Sequence, residues 1–218
     1  MNKYQETFNT WNSIAKRYED AFFDLDLYND TYNFFLDNLP GKKSKVLDVG
    51  CGSGNITKYL LDKNPNLTIK GIDISKNMID LAKKNNKTAE FEIMDIRNLN
   101  QLKETFDGII CGFCIPYLSK EDCSKFISGC NHLLNDNGIL YLSFVEGDYE
   151  KSGFISGSTG DRVYFYYHNL KNLKIQLETY NFDTPAIYQK QYTKSDYSSE
   201  THSILITRKV KYREVNRT

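Results

Sequence analysis

The chain has 218 residues, enough for one domain with a sizeable core. Its 28 Lys plus Arg balance 28 Asp plus Glu, so no global field draws it to nucleic acid, anionic lipid or an acidic substrate. The N-terminal stretch lacks the apolar core of a signal peptide, and no apolar run is long enough to span a bilayer, so the chain is expected to be cytoplasmic, with neither membrane nor nucleic acid as a partner. The five cysteines have no regular spacing and are expected to be reduced. Cys111 and Cys114 form a lone C-x-x-C pair; plain burial is expected there, with no metal.

In chain order, Phe8, Trp11, Ile14, Ala15 and Tyr18 recur at helical spacing, and Leu27, Thr31, Phe34 and Phe35 form a second series that ends before Pro40-Gly41. Two helices are thus predicted over residues 1–40. From Lys45 the period changes. KVLDV, LTIKGID, EFEIMD, FDGIIC and GILYLSFV are short β-rich runs separated by helical or turn-rich segments, the alternation of a parallel sheet wound with helices. The clearest helix carries Cys123, Phe126, Ile127, Cys130, Leu133 and Leu134, with Ser119 and Asp122 as its capping box and Asn137-Gly138 as its predicted stop.

After residues 45–145 the rhythm breaks. Residues 147–168 join a Gly- and Ser-rich stretch to the aromatic run VYFYYH, either a lid or a surface hairpin, with the lid preferred. Residues 169–210 then supply a helix and two extended segments, PAIYQKQY and HSILITRKV, which are predicted to close the sheet as an antiparallel hairpin. The basic end, residues 209–218, is expected to be a solvated tail.

The chemistry concentrates in VLDVGCGSGNIT, residues 46–57. A strand, a glycine loop and a helix in that order aim backbone N–H groups at whatever sits over the carboxyl edge of the sheet. A dinucleotide fingerprint would need its third glycine at Asn55, and no Gly-Lys-Ser/Thr triplet of a phosphate loop follows. Asp48, two residues before Gly50, also suits a cationic or donor-rich ligand better than a diphosphate.

VLDVGCGSG, then GIDIS, MDI and FDGIICGF at successive strand ends together resemble the class I S-adenosylmethionine-dependent methyltransferases of small-molecule type. The resemblance implies an α/β, Rossmann-like seven-stranded, mostly parallel sheet with an antiparallel C-terminal hairpin, helices on both faces and an N-terminal helical cap. The implied cofactor is S-adenosylmethionine and the implied partner a small-molecule methyl acceptor. By the same resemblance, Gly50, Cys51 and Gly52 would lie against the methionine part and Asp48 would help to anchor its ammonium group. Asp73 would accept both ribose hydroxyls, while Ile74 and Met78 would pack on the adenine. Asp95 would accept the adenine amino group, with Ile96 offering its N–H to the ring. Cys111 would present its carbonyl to the ammonium, Phe113 would line the cleft, and Tyr18 of the cap would meet the cofactor carboxylate; Trp11 is at least as well explained by packing.

On the acceptor side, Cys114-Ile115-Pro116-Tyr117 is only partly like the Asn/Asp-Pro-Pro-Tyr motif of base-modifying amino methyltransferases, because Cys114 cannot accept an amine hydrogen bond as Asn or Asp would. Tyr117, Glu146, Tyr149, Arg162, Tyr166 and His168 would reach the acceptor if residues 147–168 fold back. Of the three histidines, His168 is preferred as a base over His132 and His202, and no residue is assigned to catalysis. Two other functions fit less well: a non-catalytic protein that binds S-adenosylmethionine or its demethylated product, and an NAD-dependent oxidoreductase.

Overall fold

Strand alternation along the central runs sorts their side chains onto two buried faces. In the computed structural model, which describes residues 2–157, 160–194 and 197–211, the sheet has seven strands in the order β3-β2-β1-β4-β5-β9-β8. These are β1 (Lys45–Val49), β2 (Thr68–Asp73), β3 (Glu90–Ile93), β4 (Phe106–Cys111), β5 (Leu134–Val145), β8 (Ala186–Thr193) and β9 (Ser199–Arg208). The first five run parallel to one another; β9 pairs antiparallel with both β5 and β8. The predicted closing hairpin is therefore present. From residue 212 on, the predicted tail falls outside the described residues.

Leu47, Val49, Ile109, Leu140, Leu142 and Leu205 enter one core with helices α6 (Lys120–Leu133) and α7 (Leu170–Thr179). Their chain neighbours Val46, Ile110, Ile139, Tyr141 and Ile204 enter a second core, with α3 (Asn29–Asp37) and α4 (Asn55–Lys63). Burial on both faces explains why these strands read as continuous apolar runs. Helix α5 (Lys76–Asn85) packs its Ile79 and Ala82 against Cys51 and Phe91 at one flank. Among the described residues no helix is long and apolar enough to cross a membrane.

Three helices open the chain where two were expected. The first series is broken into α1 (Lys3–Ser13) and α2 (Ala15–Phe22). Asn12 turns its groups to the start of α5: its side-chain oxygen accepts from the Asn77 N–H (3.0 Å) and the Ser75 hydroxyl (3.0 Å), and its carbonyl accepts from the Asn77 amide (2.7 Å). The stop of α6 also differs. Ser119 does cap it, accepting from the Asp122 N–H (3.1 Å), but the helix ends at Leu133, and Leu134 already pairs with Phe106. Asn137-Gly138 instead form the irregularity where β5 shifts register, with Asn137 at φ +63°.

Residues 147–168 contain a two-stranded antiparallel hairpin, β6 (Gly153–Ser156) and β7 (Arg162–Phe165), which docks on α1. Thr7 accepts the Tyr164 N–H (2.9 Å), Thr10 donates to the Arg162 carbonyl (2.8 Å), and Arg162 pairs with Glu6.

Candidate active site

The strand order reverses direction between β1 and β4, and at such a switch point the loops after the strands part to leave a crevice. A cleft of about 800 Å³, its open mouth included, lies there. Gly50 and Gly52 follow β1, Asp73 and Ile74 close β2, Asp95 and Ile96 follow β3, and Gly112, Phe113 and Cys114 follow β4; all of them line it. Met78 of α5 and Trp11 and Tyr18 of the cap complete its walls.

The glycine loop is held by backbone bonds from the Gly50 N–H (2.8 Å) and the Cys51 N–H (3.0 Å) to the Ile72 carbonyl. Gly50 sits at φ +66°, in the left-handed region, and a Cβ there would stand 2.4 Å from Cys114 Sγ. Glycine is thus required at this position by conformation and by space. Asp73 is placed by two backbone donors, Gly52 N–H to one oxygen (3.0 Å) and Ser75 N–H to the other (2.8 Å). A carboxylate has about four acceptor sites, so each oxygen keeps room for one more donor. Burial raises the Asp73 pKa, while the Ser75 and Gly52 N–H groups oppose that rise. Asp95 is gripped by the Arg97 guanidinium, whose Nε lies 3.0 Å from both carboxylate oxygens. Burial lifts the Tyr18 hydroxyl to about 12, with the Asp73 charge adding to the effect, so it stays a donor.

Of the expected cofactor contacts, Asp48 is placed away from the cleft; for Cys51 and Cys111 the expectation concerns the loop backbone and a carbonyl, and their thiols are buried. Asp48 does not line the cleft: alternation sets it on the Val46 face, toward α4, where it is fully buried and accepts the Thr57 hydroxyl (2.6 Å). Cys51 turns its side chain into the Ile79, Ala82 and Phe91 cluster, and Cys111 is buried in the core beneath the sheet edge. All five cysteines are free, and contact with Cys111 together with burial pushes the Cys114 thiol well above its usual range.

A second cavity of about 920 Å³, its open mouth included, adjoins the cleft across Trp11, Tyr18, Gly50, Gly112, Phe113 and Tyr117, which line both. Of the acceptor-side candidates only Tyr117 lies there. His168 is buried with Nε2 3.0 Å from the Ile115 carbonyl and 3.2 Å from that of Leu118, so its N–H pins the Pro116 turn and cannot act as a base from that atom. Burial also lowers its pKa. Glu146 accepts from Ser203 (2.8 Å) and Gln189 (3.1 Å) on the neighbouring strands. Tyr149 lies under the Lys120 ammonium (4.0 Å to the ring centre) and stacks on Tyr166, whose N–H binds the Pro116 carbonyl (2.7 Å). Arg162 is outside with Glu6. The hairpin turns its strands to α1 and takes Arg162 with it, while Glu146 and His168 are held by β8, β9 and the Pro116 turn.

Sequence reasoning missed Tyr4, Thr7, Phe8 and Arg97 in the cleft, and Tyr28, Tyr192, Glu200 and His202 in the cavity. Tyr4, Phe8 and Trp11 are spaced i, i+4, i+7, a stripe that could have disclosed the first group. Glu200 and His202 share one strand face at i, i+2, which was a usable signal for the second.

Phe113 adopts φ +53°, uncommon for a residue with a side chain. Its N–H donates to the Ser143 hydroxyl (2.9 Å), and its ring rests against His202 (4.7 Å between centres) and Tyr28 (5.1 Å). Backbone strain of this kind costs about 1–3 kcal/mol and persists where the surroundings enforce it. Here it sets one ring between cleft and cavity.

Residues 46–138 match the family described as methyltransferase domain. That likeness spans under half of the chain, and the fold as a whole is similar to that of solved S-adenosylmethionine-dependent methyltransferases. The chain is 32% identical over 137 residues to a protein of Invertebrate iridescent virus 6 named as a putative methyltransferase; the match takes in 62% of the chain but only about half (49%) of that relative. It is 28% identical to the tRNA N(3)-methylcytidine methyltransferase trm141 of Schizosaccharomyces pombe, over 72% of the chain and 67% of the relative. In fold it is similar to the 1,6-didemethyltoxoflavin-N1-methyltransferase of Burkholderia thailandensis, crystallised with 1,6-didemethyltoxoflavin and S-adenosylhomocysteine. That likeness has a TM-score of 0.70 at 18% identity, covering 95% of this chain and 88% of the other.

Proposed function

We propose that the chain binds S-adenosylmethionine in the cleft and transfers its methyl group to an O, N or S atom of a small molecule held in the adjoining cavity. The observation that carries this reading is Asp73: at the end of β2, each of its oxygens is fixed by one backbone donor and has capacity for one hydroxyl more, as a ribose diol requires. Two such bonds to a charged acceptor are worth about 1.5–3 kcal/mol each. The bare Gly50–Gly52 backbone would take the methionine part, Ile74 and Met78 would cover the adenine, and Asp95, held by Arg97, would meet its amino group.

The sulfonium group brings an already activated methyl, so the reaction needs chiefly an in-line nucleophile held close and dry. Such positioning can supply about 7–11 kcal/mol. Trp11, Phe113 and Tyr117 stand where the two spaces meet and would keep water from the line of transfer.

A small acceptor is favoured over a nucleic acid, although one relative acts on tRNA by its name. The described residues lining the cavity include no Lys or Arg, whereas nucleic-acid binding depends on neutralising phosphates. The test is incubation with methyl-labelled S-adenosylmethionine and, separately, a metabolite extract and bulk tRNA. Label in small products is expected; label in tRNA alone, or binding without any transfer, would overturn the reading.

A further inference from the structure

Tyr28, at the N-terminal end of α3, and Glu200 and His202, on β9, meet at the wall of the acceptor cavity. The Tyr28 hydroxyl is 2.6 Å from His202 Nδ1, and His202 Nε2 is 3.0 Å from Glu200 Oε1. A carboxylate can only accept, so Nε2 carries the ring proton and Nδ1 accepts from Tyr28. The order is therefore Tyr28 O–H to His202, and His202 N–H to Glu200. These residues lie 174 positions apart at the first link, and the imidazole is clamped between rings: Tyr192 stacks on it at 4.9 Å and 12°, and Phe113 lies at 4.7 Å.

Packing alone would not need this order. We propose that Tyr28, His202 and Glu200 form a proton relay serving the cavity, and that its acceptor is a flat aromatic compound methylated on an ionisable ring hydroxyl. This rests on the methyl-transfer reading above and adds the acceptor class and the path of the proton. The cavity walls carry the aromatic part of the inference: Phe22, Tyr32, Phe113, Tyr117, Phe165 and Tyr192 offer ring faces and edges, and Glu200 is the only carboxylate among the described lining residues. Such a chamber suits an uncharged planar ring and gives a phosphate nothing to pair with.

The step balances as follows. The acceptor hydroxyl gives its proton to the Tyr28 oxygen as Tyr28 passes its own to His202 Nδ1; the new O–CH₃ bond forms as the S–CH₃ bond breaks, the electron pair staying on sulfur. The proton released is left on an imidazolium facing Glu200. Tyr28 is the catalytic residue, since it would touch the acceptor; His202 and Glu200 act through it as positioning residues.

Other groups facing His202 fit this direction. Lys194 pairs with Glu200, while Lys190, opposite His202 in the strand register, is engaged by Asp30 (2.7 Å). Burial lowers the His202 pKa, so the imidazole rests neutral, and Glu200 opposes that fall.

The test uses the full chain with S-adenosylhomocysteine and 4-nitrophenol, whose ionised form is read by its visible absorbance. Calorimetric binding of S-adenosylhomocysteine is measured first, for the wild type and for Tyr28→Phe and His202→Gln. All three are expected to bind it alike, which shows that the variants are folded. The wild type should then bind nitrophenol saturably and raise its ionisation constant about tenfold, a shift of about one pH unit. Tyr28→Phe and His202→Gln should each return that constant to its value in free solution. An unshifted constant in the wild type, variants that match the wild type, or no saturable nitrophenol binding would each overturn the relay while leaving cofactor binding intact. Failure of the wild type to bind S-adenosylhomocysteine would instead remove the reading on which it rests, and the relay with it.

Discussion

Asp48 has one oxygen on the Thr57 hydroxyl and the other buried with no partner. Burial is the largest cause lifting its pKa to about 7, and the neighbouring Asp73 charge adds to it against the Thr57 bonds. The folded pKa lies above the ordinary carboxylate value, so between about pH 4 and about pH 7 the folded state holds more protons than the unfolded one, and stability falls as pH rises through that window. Asp48→Asn cannot ionise, and its urea unfolding free energy minus that of the wild type should grow by more than about 1 kcal/mol from about pH 5 to about pH 8. Parallel pH profiles would show that Asp48 ionises freely. At Gly50 the left-handed backbone and the nearby Cys114 make alanine costly. Gly50→Ala should lose at least about 1–2 kcal/mol from its torsion alone and weaken cofactor binding; unchanged denaturation midpoint and affinity would mean that the loop relaxes without cost.

The hairpin β6-β7 and helix α1 behave as one piece, because Thr7 sits between them. Its hydroxyl donates to the Lys3 carbonyl (2.8 Å) and accepts the Tyr164 N–H (2.9 Å), and the side chain is 1% exposed. Since Tyr4, Phe8 and Trp11 of α1 line the cleft, the hairpin braces that side, and through Phe165 of β7 it also reaches the adjoining cavity. Thr7→Val keeps the shape but leaves the Tyr164 N–H without its acceptor, at a cost of about 1–3 kcal/mol. Faster hydrogen exchange through α1 and β7, with the central strands unchanged, is expected; uniform protection would mean that the two elements are not coupled. The exposed Arg162–Glu6 pair beside it should matter little, as surface ion pairs are worth about 0–1 kcal/mol.

Across the whole molecule, what was legible in the sequence is what local pattern encodes. The β-rich runs and the acids at strand ends led to the seven-stranded sheet, and Asp73, Ile74, Met78, Asp95, Ile96 and Phe113 do line one cleft. What was hidden depends on contacts between distant segments. The closing hairpin was legible, but nothing near His202 says that its register with β5 will bring it to Tyr28, and nothing near His168 says that the Ile115 and Leu118 carbonyls will claim its N–H. Asp48 was misplaced for a subtler reason: its neighbours fix the strand, but which face it takes depends on where α4 lies.

The molecule as described has a cleft at the sheet's switch point beside an aromatic cavity, and in the proposed reading Asp73 joins the fold to the cofactor. Calorimetric titration of S-adenosylhomocysteine into the wild type and Asp73→Ala reads that joint directly. Saturable binding by the wild type, weakened about tenfold or more in the variant while both melt alike, is the expected result. Equal affinities, or a wild type that takes up NAD and leaves S-adenosylhomocysteine unbound, would contradict it.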